Sequence, residues 1–173
     1  MTTATEIAET SLPLTHVRIG EIRTASAGLL KVTLGSCVAI ALINRLEGIC
    51  GLAHCFLPFA PEGYNGTSGR YADRAAANLV QRIAPNPAIR KALKAFLCGG
   101  NRLLTPEASS RFQVGQMNVD AARASLKQLN LRFHELETGA DEGTNAILDC
   151  SNFTFTCGKI SNMLIGDKES PCN

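Results

Sequence analysis

Cys37-Val38-Ala39-Ile40-Ala41-Leu42-Ile43 and Ile49-Cys50-Gly51-Leu52-Ala53-His54-Cys55-Phe56-Leu57 are two apolar runs separated by Asn44-Arg45-Leu46-Glu47-Gly48. Strand-length runs around a short polar turn that carries Asn and Gly predict a β-hairpin. Both faces of each run are apolar, so both strands are expected to be buried on both sides.

Working outward, Thr15–Ile22 reads as a first strand and Leu29–Leu34 as a second, running into Gly35-Ser36. After the hairpin, 58–69 is a loop rich in Pro and Gly. Tyr71–Ile83 then places Ala72, Ala75, Ala76, Leu79, Val80 and Ile83 at helical spacing. Asp73 in its first turn suits the helix dipole, and Pro85 with Pro87 ends the helix. Leu93–Cys98 predicts a strand closed by Gly99-Gly100. Val119–Leu129 predicts a second helix, with Ala122, Leu126 and Leu129 on one side. Leu131–Leu136 is a further strand, and Ala146–Leu148 with Phe153–Thr156 suggests a terminal hairpin. The sum is an α+β fold with more strands than helices. The expected organisation is a polar tail over 1–13, one domain over 14–165 and a loose tail over 166–173.

The composition narrows the function. With 173 residues, 45% hydrophobic and 18% charged, the chain can bury one ordinary core. The formal net charge of +2 comes without any Lys/Arg run, which argues against nucleic acid as a partner. No apolar stretch approaches the roughly 20 residues of a membrane span, and the first dozen residues lack the pattern of a signal peptide. A cytoplasmic protein is expected. Seven cysteines without a CxxC pair favour neither a disulfide framework nor a zinc site. The expectation is reduced thiols, with Cys50, Cys55, Cys98, Cys150 and Cys157 as packing residues and Cys172 in the tail. His16 and His134 are expected at the surface.

Cys37 lies where a glycine turn, Leu34-Gly35-Ser36, passes into a strand, and backbone N–H groups beside it are the donors an oxyanion hole needs. If the hairpin turn is centred between Arg45 and Leu46, Cys37 falls directly opposite His54, with Cβ atoms about 4.5–5.5 Å apart. An imidazole reaches a thiol at that range. A cysteine in an apolar strand is more often core, and a single histidine near a strand end is more often structural. The spacing alone leaves both readings open.

The segment Thr33-Leu34-Gly35-Ser36-Cys37-Val38-Ala39-Ile40, followed by Gly51-Leu52-Ala53-His54 and Leu57-Pro58, resembles the chemoreceptor glutamine deamidase family, CheD. Arg70-Tyr71-Ala72-Asp73, Gly99-Gly100, and Val114-Gly115 with Asn118-Val119 follow in the family's order. The resemblance implies a layered sandwich of mostly antiparallel strands with two main helices, like cysteine-dependent toxin deamidases. It implies a catalytic Cys, His and Thr, of which the first two fall on Cys37 and His54. Its substrates would be glutamines of methyl-accepting chemotaxis receptors, reached at the membrane only through the receptor. A CheC-type phosphatase is an implied further partner, and no metal or organic cofactor is required.

The match has gaps. The family's Thr stands about six residues before the Cys, where this chain has Lys31; Thr33 is the nearest candidate for the third role. Gly99-Gly100 is followed by Asn101 where the family has Ala, and Met117 stands where it has Arg. Gly35, Ser36, Tyr71, Asp73, Gly99 and Gly100 are the candidate substrate or oxyanion contacts. Two other readings stay open. One is a non-catalytic module that binds receptor or phosphatase. The other is a cysteine hydrolase or amidotransferase for a small molecule.

Overall fold

A computed structural model describes residues 12–102 and 109–160, with backbone alone over 109–113. Among the described residues, nine strands and two helices follow in the order β1 (Leu14–His16), β2 (Ile22–Ala25), β3 (Leu29–Leu34), β4 (Val38–Asn44), β5 (Ile49–Cys55), α1 (Ala72–Ile83), β6 (Lys94–Gly99), α2 (Ser109–Gln128), β7 (Phe133–Thr138), β8 (Thr144–Asp149) and β9 (Thr154–Lys159). A 3-10 turn, Pro87–Ala92, precedes β6. The strands form two sheets, ordered β1-β3-β8-β9 and β2-β5-β4-β6-β7. All pairings are antiparallel except β1 with β3 and β6 with β7. This is the expected α+β sandwich.

The central hairpin explains the layering. Side chains alternate across a strand, and along β4 both sets are apolar. Val38, Ile40 and Leu42 pack with Ala75 and Leu79 of α1 and Ala122 and Leu126 of α2. Ala39, Ala41 and Ile43 pack with Leu30, Val32 and Leu34 of β3 and Ala146 and Leu148 of β8. The five-stranded sheet is therefore covered by helices on one face and by the four-stranded sheet on the other. Arg123 also clamps α2 to β7 through both oxygens of Glu135, at 2.7 and 2.9 Å. No described helix is long and apolar enough to cross a membrane.

Four expectations are corrected. The single strand over Thr15–Ile22 is two, because the chain turns at Gly20, whose φ is +80°, and Gly20 donates its N–H to the His54 carbonyl. The hairpin turn spans 45–48 and is centred between Leu46 and Glu47, so Asn44 pairs with Ile49 and Ala39 with His54. Its causes are Gly48 at φ +63° and the Asn44 side chain, which accepts the Glu47 N–H. The second helix begins ten residues before Val119, at Ser109. Finally, Cys98 and Cys157 are not separate packing thiols: β6 and β9 meet across the layer between the sheets, and a disulfide joins the two residues. Cys37, Cys50, Cys55 and Cys150 are free and buried. His16 and His134 are exposed. Cys172 and the tail over 166–173 lie outside the described residues, as does most of the tail over 1–13.

Candidate active site

Cys37 and His54 occupy one face of the five-stranded sheet. His54 pairs with Ala39, and both point into the layer between the sheets, where Cys37 also lies. The shift from the expected register is two residues in the pairing sum, so it preserves the face. Cys37 is consequently a diagonal neighbour of His54, a separation of about 7–8 Å between Cα atoms and less between side chains. The expected direct pairing does not occur, and among the described residues the thiol and imidazole make no hydrogen bond.

The imidazole is held from one side. His54 Nδ1 lies 3.1 Å from the carbonyl oxygen of Val17. A carbonyl oxygen only accepts, so Nδ1 carries the proton and Nε2 bears the lone pair. Nε2 is buried and meets no hydrogen-bond partner among the described residues. The His54 backbone is fixed as well, donating to Glu21 O at 3.0 Å and accepting from Gly20 N at 2.8 Å. Burial pushes the His54 pKa below its usual 6.5 and outweighs the Val17 carbonyl, which favours the charged form. Burial pushes the Cys37 thiol upward. At rest the pair is therefore a neutral thiol and a neutral base.

The turn that carries Cys37 is bound through four consecutive carbonyls. Leu34 O accepts from Asn101 Nδ2 at 3.3 Å, and Gly35 O from Asn101 N at 2.8 Å. Ser36 O accepts from Asn118 Nδ2 at 3.0 Å, and Cys37 O from Gly100 N at 2.8 Å. With the carbonyls committed, the N–H groups of Gly35, Ser36 and Cys37 find no acceptor among the described residues. Gly99 and Gly100 permit this approach. A Cβ on Gly99, at φ +101°, would stand 2.5 Å from Cys37 O; one on Gly100, at φ +67°, would stand 2.3 Å from a Val119 methyl. Gly115 lets α2 come in equally close, its own Cβ position lying 2.8 Å from Gly100 O. Three residues along the helix, Asn118 then enters the site.

The other candidates stand apart. Thr33 points to the outer face of β3, where its hydroxyl donates to Asn145 Oδ1 at 2.7 Å. Its neighbours Val32 and Leu34 face inward, so alternation alone turns Thr33 away from Cys37. Tyr71 is the N-cap residue of α1 and packs edge-on against Tyr64. Asp73 accepts the Ala60 N–H at 3.1 Å and so shapes the loop after β5.

Three contributors were missed. The Val17 carbonyl is a backbone group and leaves no mark in a sequence. Asn118 belongs to a motif piece to which the sequence assigns no role, and Asn101 stands where the family has Ala; the signal available for both is polarity beside glycines that must pack closely. No group of three metal-ligating side chains is gathered among the described residues. The arrangement offers a shielded thiol, a base with a fixed tautomer and a row of N–H groups beside the thiol, which are the elements of nucleophilic acyl chemistry.

A family model described as CheD chemotactic sensory transduction matches residues 56–159. A Bdellovibrio bacteriovorus protein named probable chemoreceptor glutamine deamidase CheD is 36% identical over 131 residues, covering 75% of this chain and 84% of its own. A Methanococcus vannielii protein of the same name is 35% identical over 144 residues, covering 83% and 93%. Among solved structures, a Neisseria meningitidis protein of family-model DUF152 overlaps 75% of this chain and 64% of its own at 12% identity, with a TM-score of 0.42, too low to bear on function. The long matches to these relatives, together with the family model's span of more than half the chain, place this protein in the CheD family.

Proposed function

We propose that this chain hydrolyses glutamine side chains of chemoreceptors to glutamate, with Cys37 as nucleophile and His54 as its base. The observation that carries this reading is the His54 imidazole. It is held by the Val17 carbonyl with Nε2 free, on the same sheet face as Cys37, in a chain whose relatives are named probable chemoreceptor glutamine deamidases. His54 Nε2 takes the thiol proton as the sulfur attacks the carboxamide carbon. The S–C bond forms, and the oxyanion is met by backbone N–H groups beside Cys37. The imidazolium then gives its proton to the departing nitrogen, the C–N bond breaks, and ammonia leaves a thioester. His54 next deprotonates water against that thioester, releasing glutamate and restoring the thiol. A neutral thiol suits this order, because proton transfer then accompanies attack.

Thr33 lies on the far face of β3 and takes no part. In this reading the Val17 carbonyl fills the orienting role that a third side chain would otherwise have. The protein acts in the cytoplasm on the receptor's cytoplasmic part, and a CheC-type phosphatase is a candidate partner. A second reading draws on the outward position of Thr33: a regulatory module that binds receptor without turnover. Mass spectrometry of a receptor signalling domain incubated with wild type and with Cys37→Ala separates the two. The expected result is amide-to-acid conversion at glutamine with wild type only. Receptor binding without conversion by either protein would establish the second reading.

A further inference from the structure

Asn118 is fully buried on α2, and its side-chain amide donates to two carbonyls, Ser36 O at 3.0 Å and Phe56 O at 3.2 Å. The two acceptors have special positions. Phe56 follows the strand that carries His54, and Ser36 precedes Cys37. The Ser36 carbonyl and the Cys37 N–H belong to one peptide unit. Because that unit is planar and trans, the two bonds point in opposite directions. Whatever holds the oxygen therefore aims the hydrogen.

We infer that Asn118 is a positioning residue for the oxyanion: by holding the Ser36 carbonyl it turns the Cys37 N–H toward the carbonyl oxygen of a bound glutamine. The inference rests on the proposed role of Cys37 as nucleophile. Three observations support it. Among the described residues the Cys37 N–H has no acceptor, as an oxyanion donor at rest requires. The neighbouring carbonyls on either side are held by a second group, Gly100-Asn101, so Asn118 is the sole described donor to Ser36 O. And Gly115 brings α2 close enough for the Asn118 side chain to reach a turn between the sheets. The second bond, to Phe56, keeps the ends of the nucleophile and base strands at a fixed separation.

The test uses Asn118→Ala and Asn118→Leu, which remove the donor, and Asn118→Gln, which keeps a side-chain amide. Receptor deamidation is followed by ammonia release, Cys37 reactivity by iodoacetamide alkylation against pH, and folding by thermal melting. The expected result for Ala and Leu is a kcat lower by about 10–100-fold with KM changed less than about 2-fold, somewhat below the loss from deleting an oxyanion donor outright. Their alkylation profile stays that of wild type, because the thiol and its base are untouched. The Gln variant recovers part of kcat, and it decides the matter if the other two do not fold. A folded variant with kcat within about 3-fold of wild type would overturn the inference. So would a kcat loss matched by an equal loss of alkylation, which marks general disorder of the site. Cys37→Ala is run alongside. If it abolishes ammonia release while the Asn118 variants keep theirs, this inference alone fails. If ammonia release survives in Cys37→Ala, the nucleophile assignment fails and takes this inference with it.

Discussion

Gly99→Ala is the substitution whose cost the structure allows one to work out. Gly99 adopts φ +101°, a region L side chains rarely enter, at about 1–3 kcal/mol. The added methyl would also stand 2.5 Å from Cys37 O and 2.9 Å from Leu34 Cδ1. Leu34 can rotate, but the Cys37 carbonyl is backbone and is itself bonded to Gly100 N, so overpacking adds about 1–3 kcal/mol. The sum is about 2–6 kcal/mol. For a chain of this length each kcal/mol lowers Tm by about 2–4 °C, which predicts a fall of about 5–20 °C by scanning calorimetry. Any relaxation must push the Cys37 peptide, so kcat per folded molecule should drop by at least about 10-fold as the oxyanion donors lose their aim. A Gly99→Ala protein melting within about 2 °C of wild type would refute the argument that this glycine is required by backbone contact.

Further outcomes follow from the same geometry. Because burial raises the Cys37 thiol, its alkylation in the free protein should show a midpoint above the usual 9.0, and a midpoint near neutrality would mean a preformed ion pair. Because burial lowers His54, the acid limb of kcat/KM should fall below 6.5, and a limb above 6.5 would contradict that environment. The stability signs are also fixed. A lowered His54 means the unfolded chain binds the extra proton, so stability falls as pH drops through 6.5. A raised Cys37 means its contribution is present below 9.0 and lost above it. Urea unfolding at several pH values checks both. His54→Gln should lower kcat by about 10²–10⁴-fold in ammonia-release assays, since it removes the base. Asn44→Ala strips a fully buried amide that donates to Ile83 O at 2.6 Å. It should cost about 1–3 kcal/mol in urea unfolding while kcat stays at the wild-type level, because Asn44 lies at the end of β4 remote from Cys37.

The reasons some of this was legible in the sequence, and some not, are physical. Leu29–Leu34 and the helix ending at Ile83 could be read to within a residue, because alternation and 3.6-residue spacing record which face is buried. The hairpin could be read but its register could not. Asn44 belongs to β4, so the turn is the four residues 45–48, held by Gly48 at positive φ and by the Asn44 side chain, and its centre lies one residue later than expected. The face shared by Cys37 and His54 survived that error because the shift was even. The first half of α2 left little trace: Ser109 to Asn118 has few apolar residues, and Gly115 within it packs on Gly100. Thr33 was a candidate by nearness along the chain, and alternation on β3 sends it outward. The partner of His54 Nδ1 is a peptide carbonyl from a segment between two short strands, which no residue type advertises. The Cys98–Cys157 link depended on which strands of the two sheets face one another, and composition carries no information on that.

The four-carbonyl grip on the Cys37 turn has a consequence for when the protein becomes competent. Cys37, His54 and the Val17 carbonyl all leave the ribosome in the first third of the chain, whereas Gly100, Asn101 and Asn118 follow some 46 to 64 positions after the histidine. A chain that has emerged only to the end of the first helix therefore lacks every group that holds these four carbonyls. The turn is gripped only once the segment after β6 and the second helix have both packed against it. On the proposed reading, the N–H groups beside Cys37 are aimed only from that point on.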